Sequence, residues 1–209
     1  MIESQSLTFQ YSEGPSFQFP DISCEGGQSM LILGQSGRGK TTLLHLLGGL
    51  LPIQSGEIRI QDQALSALGG GALDQFRGKH IGIVFQRAHF VQAMSVKDNL
   101  KLAQYLPGVK PEVSHIRGLL SRLNLADKLE QKPRYLSVGE QQRVAIARAI
   151  INQPSVLLAD EPTSALDDEN CHAVLDLLEE QASSVGAALI IVTHDQRLKD
   201  RFARQITLN

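Results

Sequence analysis

Lys40 and Thr41 close the run Gly34-Gln35-Ser36-Gly37-Arg38-Gly39, and Thr42 follows them. A turn this rich in glycine lets the backbone curl until several N–H groups point inward at one anion. Lys40 would set a point charge on the terminal phosphates of a nucleotide, and the Thr41 hydroxyl suits Mg²⁺. The spacing GxxxxGK[ST] arises by chance on the order of once per 10⁴ positions. Two carboxylates, Asp160 and Glu161, end the apolar run Val156-Leu157-Leu158-Ala159. Asp160 can hold Mg²⁺, directly or through water, and Glu161 stands one residue on, where it could polarise a water against a γ-phosphate. An Asp-Glu pair before Pro162 could also be a simple helix cap. Ser137, with Glu140 three residues later, reads both as a capping box and, with the Gly139 N–H, as an anion site at a helix start.

These groups need rigid elements to bring them together. Met30–Leu33 reads as a strand feeding the loop, and a helix from about Lys40 to Leu47 turns its positive end to the same anion. Leu7–Gln10 and Ser16–Ile22 read as antiparallel β around the turn at Ser12–Pro15. Gly56–Ile60 and Ile81–Phe85 read as further strands. From Ser95 to Asn152 the period turns helical, over Val96–Tyr105, Glu112–Leu123 and Gly139–Asn152, with Pro107, Pro111 and Pro133 between. Strand Val156–Asp160, helix Asp168–Val185, strand Ala188–Thr193, helix Gln196–Phe202 and strand Gln205–Leu208 complete the chain. Gly69-Gly70-Gly71 reads as a local flexible loop. Alternating strands and helices argue an α/β fold with a parallel sheet, which delivers ligands to the carboxyl ends of its strands.

Composition narrows the function classes. The 209 residues suit one domain, and an apolar share of 42% with only 5% aromatic suits an aliphatic α/β core. A net charge of −2 gives no nucleic-acid footprint. Cys24 and Cys171 are too few for a disulfide framework or a metal site, so reduced thiols in a cytosolic chain are expected. Glu3 comes early with no apolar stretch after it, and no segment approaches the ~20 apolar residues of a membrane span.

In order and spacing, these stretches resemble the ATP-binding-cassette ATPases over essentially the whole length. The resemblance implies a P-loop NTPase fold with a RecA-like parallel core, an N-terminal antiparallel β portion and a helical subdomain at about 87–152. It implies ATP and Mg²⁺ as ligands. Tyr11 stands where that family stacks adenine, though a lone strand aromatic would read the same. Gly34, Gln35, Ser36, Gly37, Arg38, Gly39, Lys40, Thr41 and Thr42 match the phosphate loop. Gln86, after Ile83-Val84-Phe85, matches the Q-loop that reports γ-phosphate and metal. Leu136-Ser137-Val138-Gly139-Glu140 matches the signature, whose Ser137 and Gly139 would touch the nucleotide of a second copy. Asp160 and Glu161 match the Walker B pair, with Thr41, Gln86 and Asp160 around the metal. Asp167, in Ser164-Ala165-Leu166-Asp167, matches the D-loop, and His194 matches the switch histidine.

Three positions depart from the family pattern. Val138 replaces the first signature glycine, Glu140 its usual glutamine, and Arg38 a small residue. Arg77–Gln86, Leu43–Leu50 and Val96–Leu100 are similar to the ATPases of lipoprotein-releasing and macrolide-export systems, whereas the D-loop Ser-Ala is not. The resemblance implies an ATPase that pairs head to tail with a second copy. It would drive an integral membrane permease subunit at the cytoplasmic face of the membrane. Phe90, Val91 and Met94 make Gln86–Leu102 too apolar for a free loop, so docking is expected there, the alternative being that the three pack under the helical subdomain. The competing expectation is a soluble cassette acting as a mechanical switch in DNA repair or translation. Such proteins carry two cassettes or a long coiled coil, and no sustained heptads occur here.

Overall fold

The structure, a computed structural model, describes residues 1–164, 166 and 168–208, apart from the side chains of Asp168 and Glu169. Two sheets carry the chain. The first is antiparallel: β1 (Ile2–Gln10) pairs with β2 (Ser16–Gln18), β3 (Ile22–Cys24) and β5 (Ser55–Ile60), and β6 (Gln63–Ala64) extends β5. Pro20 lies in the gap between β2 and β3 and cannot donate to a ladder, so the expected continuous strand Ser16–Ile22 is divided there.

The second sheet is parallel throughout. Its order is β10 (Gln205–Leu208), β4 (Ser29–Gly34), β9 (Ala188–Thr193), β8 (Val156–Asp160) and β7 (Ile81–Val84). Every residue of β8 and β9 is buried, as continuous apolar runs in a doubly covered sheet should be. The register sets Thr193 beside Leu33, Asp160 beside Val192, and Val84 beside Ala159. Parallel strands share direction, so the segments leaving β4, β7, β8 and β9 emerge along one edge.

Helix α1 (Lys40–Leu47) buries Leu43, Leu44, Leu46 and Leu47 in a core between the two sheets. Beyond the other face, α3 (Val96–Tyr105), α4 (Val113–Arg122), α5 (Val138–Ile150) and α6 (Asp168–Ser184) share a second core with the parallel sheet. Helix α2 (Gly70–His80) begins inside the glycine run expected to be a flexible loop. Leu73 and Phe76 pack against the core, so tertiary contact outweighs the glycine penalty of about 1 kcal/mol per residue. The helix expected over Gln196–Phe202 is a 3-10 turn, Gln196–Leu198. The Asp195 carboxylate caps that turn, accepting from the Arg197 N–H at 3.0 Å, and Arg201 beyond it pairs with Asp176 and Glu179 on α6.

Candidate active site

The loop after β4 runs into α1 through Gly37 and Gly39, both at φ 82°. A Cβ on Gly39 would stand 2.7 Å from the Phe17 ring, so this position needs glycine twice over. Gly39 caps α1 without any side-chain acceptor, and the first turn holds no acid, which leaves its N–H groups for an anion. Lys40 is 7% exposed. Its Nζ donates to the carbonyls of Gly34 (2.9 Å) and Gln35 (3.2 Å) and lies 3.4 Å from Glu161 Oε1.

β8 delivers Asp160 to the same edge. The Thr41 hydroxyl reaches its two carboxylate oxygens at 3.4 and 3.3 Å. Burial pushes the Asp160 carboxyl above its usual range, and the Glu161 charge adds to this against the Thr41 hydrogen bond. Glu161 adopts φ 47°, a left-handed conformation uncommon for a residue with a Cβ. Its own N–H holds the Val192 carbonyl at 2.9 Å. Its carboxylate accepts from the Thr193 hydroxyl at 2.8 Å and the His194 N–H at 3.3 Å, with His194 Nδ1 2.9 Å from both oxygens. Burial alone would raise Glu161; the bonds from His194 and Thr193 outweigh it and hold the group below the ordinary range. Two adjacent carboxylates are thereby pushed in opposite directions.

A cavity of about 560 Å³ opens over these groups. Its lining is Phe17, Ser36, Gly37, Gly39, Lys40, Thr41, Thr42, Gln86, Glu161 and His194. Gln86 donates to the Ser164 hydroxyl at 3.0 Å. Tyr11 does not line the cavity: its hydroxyl lies 3.1 Å from Thr42 Oγ1, and its ring meets Phe9 edge-on at 4.8 Å. Phe17, which sequence reasoning passed over, lies at the cavity and stacks on Phe19 at 6.0 Å. The alternation Ser16-Phe17-Gln18-Phe19 was the available signal. Arg38 turns to a separate hollow of about 300 Å³ with Gln35 and Lys199.

Ser137 and Gly139 are not among the residues around this cavity. Ser137 caps α5: its hydroxyl accepts from the Glu140 N–H at 3.3 Å, and Glu140 accepts from the Ser137 N–H at 2.8 Å. Val138 stands 77% exposed beside them. Asp167 lies outside the described residues. Of the three apolar residues expected near Gln86, Phe90 packs against the core under the Arg148 guanidinium, while Val91 and Met94 are exposed. The segment is held by Asn99, paired to both the N–H and the carbonyl of Val91, and by Arg148 on the His89 carbonyl.

Residues 18–164 match the profile of the ABC transporter family. The chain belongs to that family. It is an ATPase cassette of the P-loop type. The lipoprotein-releasing system ATP-binding protein LolD of Chromohalobacter salexigens is 38% identical over 213 residues, spanning 98% of this chain and 90% of that protein. LolD of Xanthomonas campestris pv. campestris is 38% identical over 217 residues, spanning all of this chain and 90% of its own. Among solved structures, the dimeric bacterial ABC transporter cassette MJ0796 superposes with a TM-score of 0.85 at 29% identity, over 100% of this chain and 94% of that one. A dimeric post-hydrolysis state of MJ0796, bound to ADP and Pi, gives 0.86 at 30% identity over the same shares.

Proposed function

We propose that residues 1–209 form one nucleotide-binding domain, with its helical subdomain at about 87–152. It hydrolyses ATP as the cassette of a lipoprotein-releasing type of transporter. The observation that carries the chemistry is the Glu161 carboxylate, kept ionised and facing the phosphate loop across the Lys40 ammonium. Lys40 and the N–H groups of residues 36–41 hold the phosphates. Glu161 orients the attacking water and takes its proton, with Thr193 and His194 fixing the carboxylate. Phe17 offers an aromatic face for the base.

Mg²⁺ fits the donor set. A hydroxyl and a carboxylate, both hard oxygen donors, sit within 3.4 Å of each other, and Asp160 carries a buried charge whose neighbourhood asks for a cation. Thr41 and Asp160 would hold the ion, and Gln86 stands at the cavity to sense it. When bound, the ion neutralises charge developing on the β- and γ-phosphates. Two protein donors do not make a closed cage, so the rest of the shell would fall to nucleotide oxygens and water.

The capped start of α5 presents Ser137 and Gly139 away from the chain's own cavity, and the head-to-tail pair assigns them to the ATP of the second copy. A groove of about 620 Å³ lined by Leu50, Ile83, Phe85, Val91, Leu102, Leu106 and Arg148 offers an apolar helix of a membrane subunit its seat. Tyr105 and Leu106, each 70% exposed, extend that surface. Among the described residues no helix is long and apolar enough to cross a membrane. The likeness to lipoprotein-releasing ATP-binding proteins supports attachment through such a subunit, at the cytoplasmic face.

Glu161→Gln tests this reading. Hydrolysis should fall at least ~10²-fold, on the scale of losing a general base, while ATP binding persists through Lys40 and Asp160. The ATP-bound variant should run as a dimer on gel filtration. Turnover near wild type would remove Glu161 from its role.

A further inference from the structure

Glu161 heads a turn, Glu161-Pro162-Thr163-Ser164, whose backbone carries the only catalytic carboxylate of the proposed mechanism. Its left-handed φ of 47° persists because surrounding ties over-determine it. Several of those ties come from β9 and the residues just after it, and Lys40 adds an ion pair. Another comes from the helical layer: Gln142 Nε2 on α5 donates to the Pro162 carbonyl at 2.8 Å. At the far end of the same turn Gln86 reaches Ser164.

Gln142 lies five residues beyond Ser137, which at 1.5 Å rise per residue is roughly 7–8 Å along a helix. Helix α5 is stiff at this end, because its capping box closes both ways and Val144, Ala145, Ile146 and Ala147 are buried just beyond. A displacement of the Ser137 end is therefore carried rigidly to Gln142. Between α5 and the turn lies a hollow of about 290 Å³, bordered by Val138, Gln141, Gln142, Glu161 and Pro162. Side chains do not fill that gap, and the amide of Gln142 spans it. Motion of the helix start thus reaches the Glu161 turn through a hydrogen bond rather than through close packing.

We propose that Gln142 is a positioning residue that couples the two ATP sites of a head-to-tail pair. This rests on the pairing proposed above. In such a pair, α5 of one chain meets the ATP held by its partner, while Glu161 of the same chain acts on its own ATP. The path Ser137–Gln142–Pro162–Glu161 joins those sites within a single chain. Engagement of Ser137 by the partner's nucleotide sets the carboxylate for the chain's own hydrolysis.

Gln142→Met is the discriminating change. It keeps length and helix propensity and removes only the polar groups. ATPase rate is measured against ATP concentration, beside gel filtration of Glu161→Gln with and without Gln142→Met. Wild type should be sigmoidal, with a Hill coefficient approaching 2, the ceiling for two sites. Gln142→Met should keep that sigmoid, because ATP still drives the pairing, with kcat at saturating ATP lower by about threefold to tenfold. Ser137→Ala should cost less kcat in the Gln142→Met background than in wild type, because the two lie on one path. The double variant with Glu161→Gln should still form the ATP-bound dimer, and melting should stay within about 3 °C of wild type. Gln142→Lys, which returns a donor of sufficient reach, should restore kcat. Should Gln142→Met keep the wild-type kcat, or should the Ser137 and Gln142 losses simply add, the coupling role is overturned. If Glu161→Gln gives no ATP-bound dimer, the pairing itself is what failed.

Discussion

Asp160 and Glu161 are neighbours in the chain with opposite electrostatic fates. Asp160 is raised by burial, with Glu161 adding to the shift. Its contribution to stability is therefore complete below the unfolded carboxyl value and is lost as pH rises through the raised one, so at neutral pH the ionised group costs stability. Glu161 is held down, so its contribution is present above the unfolded value and lost as pH falls through the lowered one. Asp160→Asn should accordingly raise the Tm of the chain without nucleotide at pH 7.5. Calorimetry over a pH series should show this gain shrinking as pH approaches the carboxylate range. The same variant should lose Mg²⁺-dependent hydrolysis. A lowered Tm at neutral pH would mean that the Thr41 hydrogen bonds outweigh the buried charge. Both carboxylates were legible in the sequence, because a buried strand ending in two acids is rare. Their divergence was not, since it comes from Thr193 and His194, 32 and 33 positions away.

At the scale of elements, the sequence was most legible where an element is buried on all sides. β4, β8 and β9 are continuous apolar runs, and their ends fall within a residue of expectation. Helix α2 was illegible because its support is not local: a start at Gly70-Gly71 argues against a helix, and only Leu73 and Phe76 meeting the core reverse that. The aromatic at the mouth of the site escaped for a similar reason. Tyr11 was singled out by its place in the motif order, whereas Phe17 reaches the cavity because β2 folds back on β1, with Phe17 opposite Phe9. Phe17→Ala should weaken ATP binding by about tenfold or more, within the ~1–3 kcal/mol of one base stack, while Tyr11→Phe, which removes only the hydroxyl on Thr42, should cost under about threefold. Titration with a fluorescent ATP analogue reads both. Binding at the wild-type level in Phe17→Ala would take the base off Phe17.

The whole molecule divides its work between two sheets and one layer of helices. The parallel sheet gathers the reacting groups along one edge, and the antiparallel sheet closes the other side of α1. The helices present two surfaces, the exposed start of α5 and the groove floored by Arg148. Leu106→Glu puts a charge on a side chain that is 70% exposed. Folding and basal ATPase should stay within about 0.5 kcal/mol and twofold of wild type, as for surface changes generally. Stimulation by the membrane subunit, measured in reconstituted vesicles, should be lost. Stimulation at the wild-type level would move the docking surface off this groove.

The Lys40 ammonium donates to two loop carbonyls and stands beside Glu161. The chain thereby carries its own stand-in for a phosphate. An arriving anion has to evict that occupant, so small anions compete poorly and only a ligand with many contacts wins.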